Sequence, residues 1–251
     1  MPIQLQNSVV YGPLESRRFG KSLGINLLPT EAKACTFDCL YCQYGETQKQ
    51  PMRFPDLATI KKEVESAFSQ WALRSEAVDN ITIAGNGEPT LHPQFPEVVK
   101  LLTAARDRFL PDIPIGILSN SSTCHRTEIA DSLLDLDARF MKLDAGGPDV
   151  FHLLNRPFSR ESWSQMIGGL YHLRKLVIQS MFVSGSADNT SEETLEEWMI
   201  AIGYIGPESV QVYTIQRSPS DSEIVPVLPE RLIHIAKTLT ARTKVPATVY
   251  A

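Results

Sequence analysis

Apolar positions along this chain fall into two alternating rhythms. Short runs rich in aliphatic and β-branched residues predict strands over 23–28, which Pro29 ends, and over 80–85, 113–120, 139–145, 175–183 and 209–215. Between them lie stretches whose apolar residues recur at helical spacing. From Asp56, a fitting N-cap, the positions Ile60, Val64, Ala67, Phe68 and Trp71 mark one helical face. Residues 95–109, 128–136, 160–172 and 191–203 predict further helices, and Pro229 opens a last one over 229–239. Thr190 and Glu193 have capping-box spacing, and Asp188, Glu192 and Glu193 place negative charge at the positive end of that helix.

Six strand–helix units predict an α/β fold with parallel strands and right-handed crossovers. A closed eight-unit barrel needs two more units than the sequence supplies. A six-unit open barrel or a doubly wound sheet fits, and both place a ligand at the C-terminal ends of the strands. Conspicuous polar residues fall there: Asn86 and Glu88, Ser119 and Asn120, and Asp144. With no Gly/Ser linker, the expected division is an N-terminal extension over 1–22 packing on the core, a core over 23–243 and a tail over 244–251.

Composition narrows the class of partner. The 251 residues suffice for a sizeable core. With 24 basic against 29 acidic residues the formal charge is -5, so a nucleic-acid partner gains no support from charge. No apolar run approaches the length of a membrane span, and the first residues lack a signal-peptide pattern. Four cysteines, three of them packed into residues 35–42, point to a reducing, cytoplasmic setting and to metal or redox chemistry.

Cys35, Cys39 and Cys42 are spaced C-x3-C-x2-C. Three chemistries compete for that pattern. A thioredoxin-like pair of Cys39 and Cys42 leaves Cys35 surplus. Structural zinc needs a fourth ligand, for which Cys124 or His125 is available. A cubane iron–sulfur cluster takes three thiolates on three irons and leaves the fourth iron open to a substrate or cofactor.

The segment CTFDCLYC, 35–42, resembles the C-x3-C-x-aromatic-C signature of radical S-adenosylmethionine (SAM) enzymes. It follows the first predicted strand, and AGNGEPT, 84–90, after the second strand resembles the Gly-Gly-Glu-Pro motif of that superfamily, with Asn86 where glycine is frequent. The resemblance implies a partial (β/α)6 TIM-like barrel of the radical SAM type. It further implies that Cys35, Cys39 and Cys42 ligate one [4Fe-4S] cluster whose unique iron is chelated by SAM. Tyr41 is then expected to seat the adenine, and Gly85, Asn86, Gly87 and Glu88 to meet the methionine amino group. Ser119 and Asn120 match positions that reach the ribose or carboxylate, and Asp144 and Gln179 are expected to face the cavity from later strands. The implied activity is reductive cleavage of SAM to a 5'-deoxyadenosyl radical that abstracts hydrogen from a substrate, small or macromolecular. No flavin site is apparent, so an external one-electron donor of flavodoxin or ferredoxin type is implied.

Lys142 and Asp144 alternate on one strand and share a face, giving either an interior catalytic role or a salt bridge. His92 and Cys124 are expected to pack, and Trp71 and Trp198 to sit in the core. Arg17, Arg18 and Lys21 concentrate positive charge before the first strand, as a solvated turn, a contact to an anionic partner or an anchor for the cysteine loop. That segment, with CQYG and the Glu-Pro motif, is similar to the group containing wyosine-type tRNA-modifying synthetases, but the cysteines for their second cluster are missing. The alternatives are therefore a tRNA-modifying enzyme, a glycyl-radical-type activating enzyme acting on a protein, and a non-enzymatic iron–sulfur scaffold.

Overall fold

A computed structural model describes residues 3–47, 52–74, 76–158, 163–217, 219 and 221–251. Six strands form a parallel sheet: β2 (Gly20–Ile25), β3 (Asn80–Ile83), β4 (Ile115–Ser119), β5 (Ala138–Lys142), β6 (Leu176–Gly185) and β7 (Ser209–Thr214), preceded by β1 (Val10–Ser16). After β7 come the short β8 (Ile224–Pro226) and β9 (Ala247–Tyr250). The main path runs β1-β2-β3-β4-β5-β6-β7-β9. A doubly wound sheet reverses direction at a switch point, and this one never does. Every crossover steps the same way, so the open-barrel alternative is the observed one.

The helices are α1 (Leu57–Ala72), α2 (Phe95–Phe109), α3 (Thr127–Leu134), α4 (Pro148–Asn155), α5 (Trp163–His172), α6 (Glu192–Ile205) and α7 (Pro229–Thr243). The helix expected over 160–172 is α5; its first expected residues lie outside the described ones. Strand residues alternate between two unlike faces. Leu23, Ile25, Ile81, Ile83, Ile115, Ile117, Ile178, Val210 and Val212 join one buried core with Phe68, Val98, Leu102, Leu133, Ile202, Leu232 and Ile235 of the helices. Burying each such side chain stabilises the fold by about 1.5–3 kcal/mol. The opposite face carries Ser22, Gly24, Thr82, Leu118, Lys142, Met181 and Tyr213, and these surround a cavity.

Three expectations about the elements change. The first strand begins at Gly20, because β1 pairs with it antiparallel from Ser16↔Gly20 onward. It ends at Ile25 because the Asn26 amide turns back on its own chain, donating to Leu28 O at 3.0 Å and accepting from Leu28 N at 3.3 Å. Residues 244–251 include β9, which extends the sheet by pairing parallel with β7 (Val210↔Ala247, Tyr213↔Tyr250). The cap of α6 is Ser191, which accepts from Thr194 N at 3.2 Å; Thr190 is instead held by Asp188, whose Oδ1 takes both its N–H and its hydroxyl. Asp56 caps α1 as expected, accepting from Thr59 N at 2.7 Å.

Candidate active site

The cysteines lie in the loop that leaves β2 at the C-terminal end of the strands. Two neighbours clamp that loop by backbone bonds. On one side Ala34 bridges to Gly87: Ala34 N donates to Asn86 O and Glu88 N to Ala34 O, each at 2.8 Å. Only glycine fits there, since Gly87 has φ +141° and a Cβ would stand 1.8 Å from Ala34 O. On the other side Phe37 bridges to Pro157, and Leu40 N donates to Leu154 O at 3.0 Å.

Each of the three sulfurs has its own polar donor, two from other elements and one from the cysteine loop itself. Asn120 Nδ2 lies 3.5 Å from Cys35 Sγ, at the end of β4. Asn155 Nδ2, on the last residue of α4, lies 3.4 Å from Cys39 Sγ. The buried Lys33 ammonium hydrogen-bonds Cys42 and holds Gly45 O at 2.8 Å and Asp38 at 3.4 Å. Burial opposes the Lys33 charge, but Cys42, Cys35 and Asp38 outweigh it and its pKa is raised. Burial pushes the Cys35 thiol up to about 12, with neighbouring Cys39 adding to the rise. It pushes Cys39 up to about 11, against the donors Asn155 and Tyr41. Soft sulfur donors ringed by two amide N–H groups and one ammonium suit an anionic thiolate cluster. The residues present fit that group.

Cys124 is buried away from this set, 3.6 Å from Met166 O, and among the described residues no group of three or more His, Cys, Asp or Glu side chains could hold a single metal ion. The four-ligand zinc arrangement therefore does not form there. Cys124 and His92 pack, as expected. His92 Nε2 faces Pro55 O at 2.9 Å while Nδ1 accepts from Gln94 N, an arrangement that fixes the neutral ring.

The Gly85–Glu88 segment joins loops together. The buried Asn86 side chain accepts from Gln6 N at 2.7 Å and donates to Gln6 O and Pro29 O, tying the N-terminal segment to the cysteine loop. Glu88 is buried, and four donors converge on its carboxylate: Thr90 N and Oγ1, Ser119 Oγ at 3.0 Å and Asn120 N at 2.6 Å. Burial raises the Glu88 pKa against those bonds. Gly85 packs so tightly on Asn26 that a Cβ would stand 2.2 Å from its Oδ1.

Lys142 and Asp144 form the second half of the site. Asp144 Oδ1 takes Lys142 Nζ at 3.2 Å and Met181 N at 2.8 Å, while Oδ2 takes the Tyr41 hydroxyl and Asn155 Nδ2. Lys142 also donates to the Tyr213 hydroxyl at 2.9 Å and lies 4.5 Å from the Tyr41 ring centroid. The salt-bridge alternative is therefore the observed one, and Lys142 also borders the inner cavity. Gln179 donates its amide to Gln211 at 2.7 Å. The cavity on the inner face measures about 510 Å3 and is bounded by Tyr41, Cys42, Lys142 and Tyr213 among others. Asn155 and Lys33 were missed from the sequence; neither belongs to a motif.

The pieces above define a class. Residues 32–201 match the model of the Radical SAM superfamily, and the chain belongs to that family, whose enzymes use a [4Fe-4S] cluster and SAM. Among curated relatives, a protein named GTPase Obg of Brachyspira hyodysenteriae is 30% identical over 223 residues, covering 88% of this chain but 32% of that longer protein. A UPF0026 protein of Methanocaldococcus jannaschii is 32% identical over 227 residues, covering 87% of this chain and 67% of that one. The fold is shared with a structure of TYW1 bearing a lysine–pyruvate adduct: 13% identity, TM-score 0.64, 88% of this chain and 74% of that chain covered. Gly20-Lys21-Ser22 here lacks the glycine of a phosphate-cradling loop five positions earlier, where Glu15 stands, and lies on a strand. No helix among the described residues is long and apolar enough to cross a membrane.

Proposed function

We propose that this chain reductively cleaves SAM and directs the resulting radical at a hydrogen of a small substrate in the inner cavity. Cys35, Cys39 and Cys42 would hold three irons of the cluster. When bound, cluster and SAM together supply a one-electron reduction that releases methionine and a 5'-deoxyadenosyl radical. The observation carrying this reading is the three-sulfur array, each sulfur with its own polar donor, at the rim of a cavity large enough for a small ligand.

The protein's part is to hold geometry and exclude solvent. Gly85–Glu88 would present backbone groups to the methionine end of SAM, with Glu88 keeping Ser119 and Asn120 aligned. Tyr41, anchored through its hydroxyl to Asp144, would line the nucleoside side. Lys142, with its charge balanced by Asp144, would face the substrate as a fixed donor. An external flavodoxin- or ferredoxin-type protein would deliver the electron. The tRNA alternative has less support, because the net charge is negative and the cysteines for a second cluster are missing from this sequence.

The test is anaerobic purification, reconstitution with iron and sulfide, and measurement of 5'-deoxyadenosine after adding dithionite and SAM, beside a Cys39→Ala control. Product that requires the intact triad supports the reading and licenses tracing deuterium from candidate metabolites, proteins and RNA into the nucleoside. A fully loaded protein that binds no SAM and yields no product sinks it in favour of an iron–sulfur scaffold.

A further inference from the structure

The turn between β1 and β2 sends a cation into the same cavity. Ser16 Oγ accepts from Arg18 N at 3.2 Å and Phe19 N at 3.3 Å, which fixes the turn. Phe19 then packs edge-on against Phe140, ring centroids 4.4 Å apart. Arg18 reaches across to β7, its guanidinium carbon 4.6 Å from the Tyr213 ring centroid. Arg17 spans the same gap, with Nη1 2.6 Å from Ala251 O near β9. Arg18 Nη1 is buried yet has no hydrogen-bond partner among the described residues.

A buried donor left unmet on a permanent cation is costly, so such a group calls for a partner, and an anion in the cavity it faces is the one that also matches its charge. The charges lining the cavity are of one dominant sign: Arg17, Arg18, Lys142 and Arg217 against Glu15 alone among the described residues. Lys142 is already balanced by Asp144, whereas no ion pair to Arg18 is found among the described residues. A guanidinium fixed by stacking on a tyrosine presents its fork with little rotamer freedom left to lose, and that fork matches a carboxylate or phosphate.

We propose that Arg18 binds the anionic group, a carboxylate or a phosphate, of a small-molecule substrate in the inner cavity. That the anion belongs to the substrate rests on the radical reading; that Arg18 binds an anion does not. The substrate would then lie with its charged end against Arg18 and Tyr213 and its reacting end toward Tyr41 and Cys42, which border the same cavity.

The test is calorimetric titration of the cluster-loaded protein, without SAM, using malonate as the carboxylate probe and inorganic pyrophosphate as the phosphoryl probe at constant ionic strength. One of the two is expected to bind wild type saturably and at least about tenfold more weakly to Arg18→Gln, the loss of one charge-assisted pair. Arg18→Lys keeps the charge without the fork and should fall between; it carries the test alone if Arg18→Gln does not fold. Arg74→Gln removes an equal charge from the outer surface beside Trp71 and should leave binding unchanged. The stronger probe identifies the anion as carboxylate or phosphoryl. The proposal is overturned if neither probe saturates wild type, if Arg18→Gln and Arg74→Gln weaken binding equally, or if only RNA binds with Arg18 dependence. Arg18-dependent anion binding in a protein that never cleaves SAM would sink the radical reading alone. Cleavage without anion binding would sink this inference alone.

Discussion

Lys142 Nζ stands 3.2 Å from Asp144 Oδ1 across one residue of chain, and both side chains point into the half-barrel. Asp144 is almost wholly buried, and its remaining partners come from β6, α4 and the cysteine loop. The pair thus couples the strand ends to Tyr41, which lies between Cys39 and Cys42 in the chain. Removing one member leaves the other charged and buried.

Lys142→Met should therefore lower the unfolding free energy by about 3–5 kcal/mol in denaturant titrations. Burial opposes the Lys142 charge, but Asp144 and Tyr213 outweigh it and raise its pKa above that of a free lysine. The folded-state value exceeds the unfolded one, so the ammonium's contribution is fully present below the unfolded pKa and is lost as pH rises through the folded value. The gap between wild type and Lys142→Met should stay constant from pH 6 to 9 and shrink only above about 10.4, the value of a free lysine. A gap that widens with rising pH would overturn this reading of the pair.

Gly87→Ala is expected to break the bridge between the cysteine loop and the β3 loop. The added Cβ meets the Ala34 backbone, which has no flexible end to move aside, at a φ that side chains rarely adopt. Stability should fall by more than about 1 kcal/mol, and iron bound per chain should fall with it. Gly168→Ala, inside α5 with open space around the new methyl, should be neutral or slightly stabilising. Similar melting temperatures for the two variants would contradict the proposed clamp.

How much of this was legible beforehand depends on the signal each part carries. The six parallel strands were readable because their outward faces are almost purely aliphatic, as in Ile81–Ile83 and Ile115–Ile117. The cysteine triad was readable from spacing. Strand β1 was not, because Gly12 and Pro13 interrupt its pattern. Strand β9 has four residues and exists only through its pairing with β7. Helix α4 was not read from the sequence, and Asn155 at its end belongs to no motif, so it could not be assigned to any site. Lys33 reads in sequence as one more surface lysine; its burial follows from the cysteine loop folding over it. Thr190 was misread as a cap because the competing turn at Asp188 uses the same hydroxyl.

The three sulfur donors make a graded prediction about the loaded protein. Lys33→Met removes a positive charge beside Cys42, and Asn155→Ala removes an N–H aimed at Cys39. Both changes take away groups that stabilise added negative charge, so the cluster's reduction potential should fall in each. The effect should be larger for Lys33→Met, with Lys33→Arg restoring most of it. Potentiometric titration followed by electron paramagnetic resonance reads this without reference to turnover. Unchanged potentials in both variants would mean that these donors shape the loop and do not act on the cluster.

Loading itself should depend on pH in a direction the thiols dictate. Burial leaves Cys35 at about 12 and Cys39 at about 11 in the metal-free protein, so both are protonated at neutral pH. Cluster ligation needs thiolates, and loading must therefore release those protons. Apparent affinity should rise with pH across 6 to 9, by about tenfold per unit for each proton released. The metal-free protein should behave oppositely. Its buried thiols bind protons more tightly than unfolded ones, so that contribution to stability is complete below about 8.5 and fades as pH climbs toward the folded values. Cys39→Ala should keep its secondary structure, because the loop is held by the Ala34–Gly87 and Phe37–Pro157 bridges, while losing the cluster's visible absorption. Iron retention by Cys39→Ala at wild-type stoichiometry, or loading that weakens as pH rises, would remove Cys39 from the ligand set.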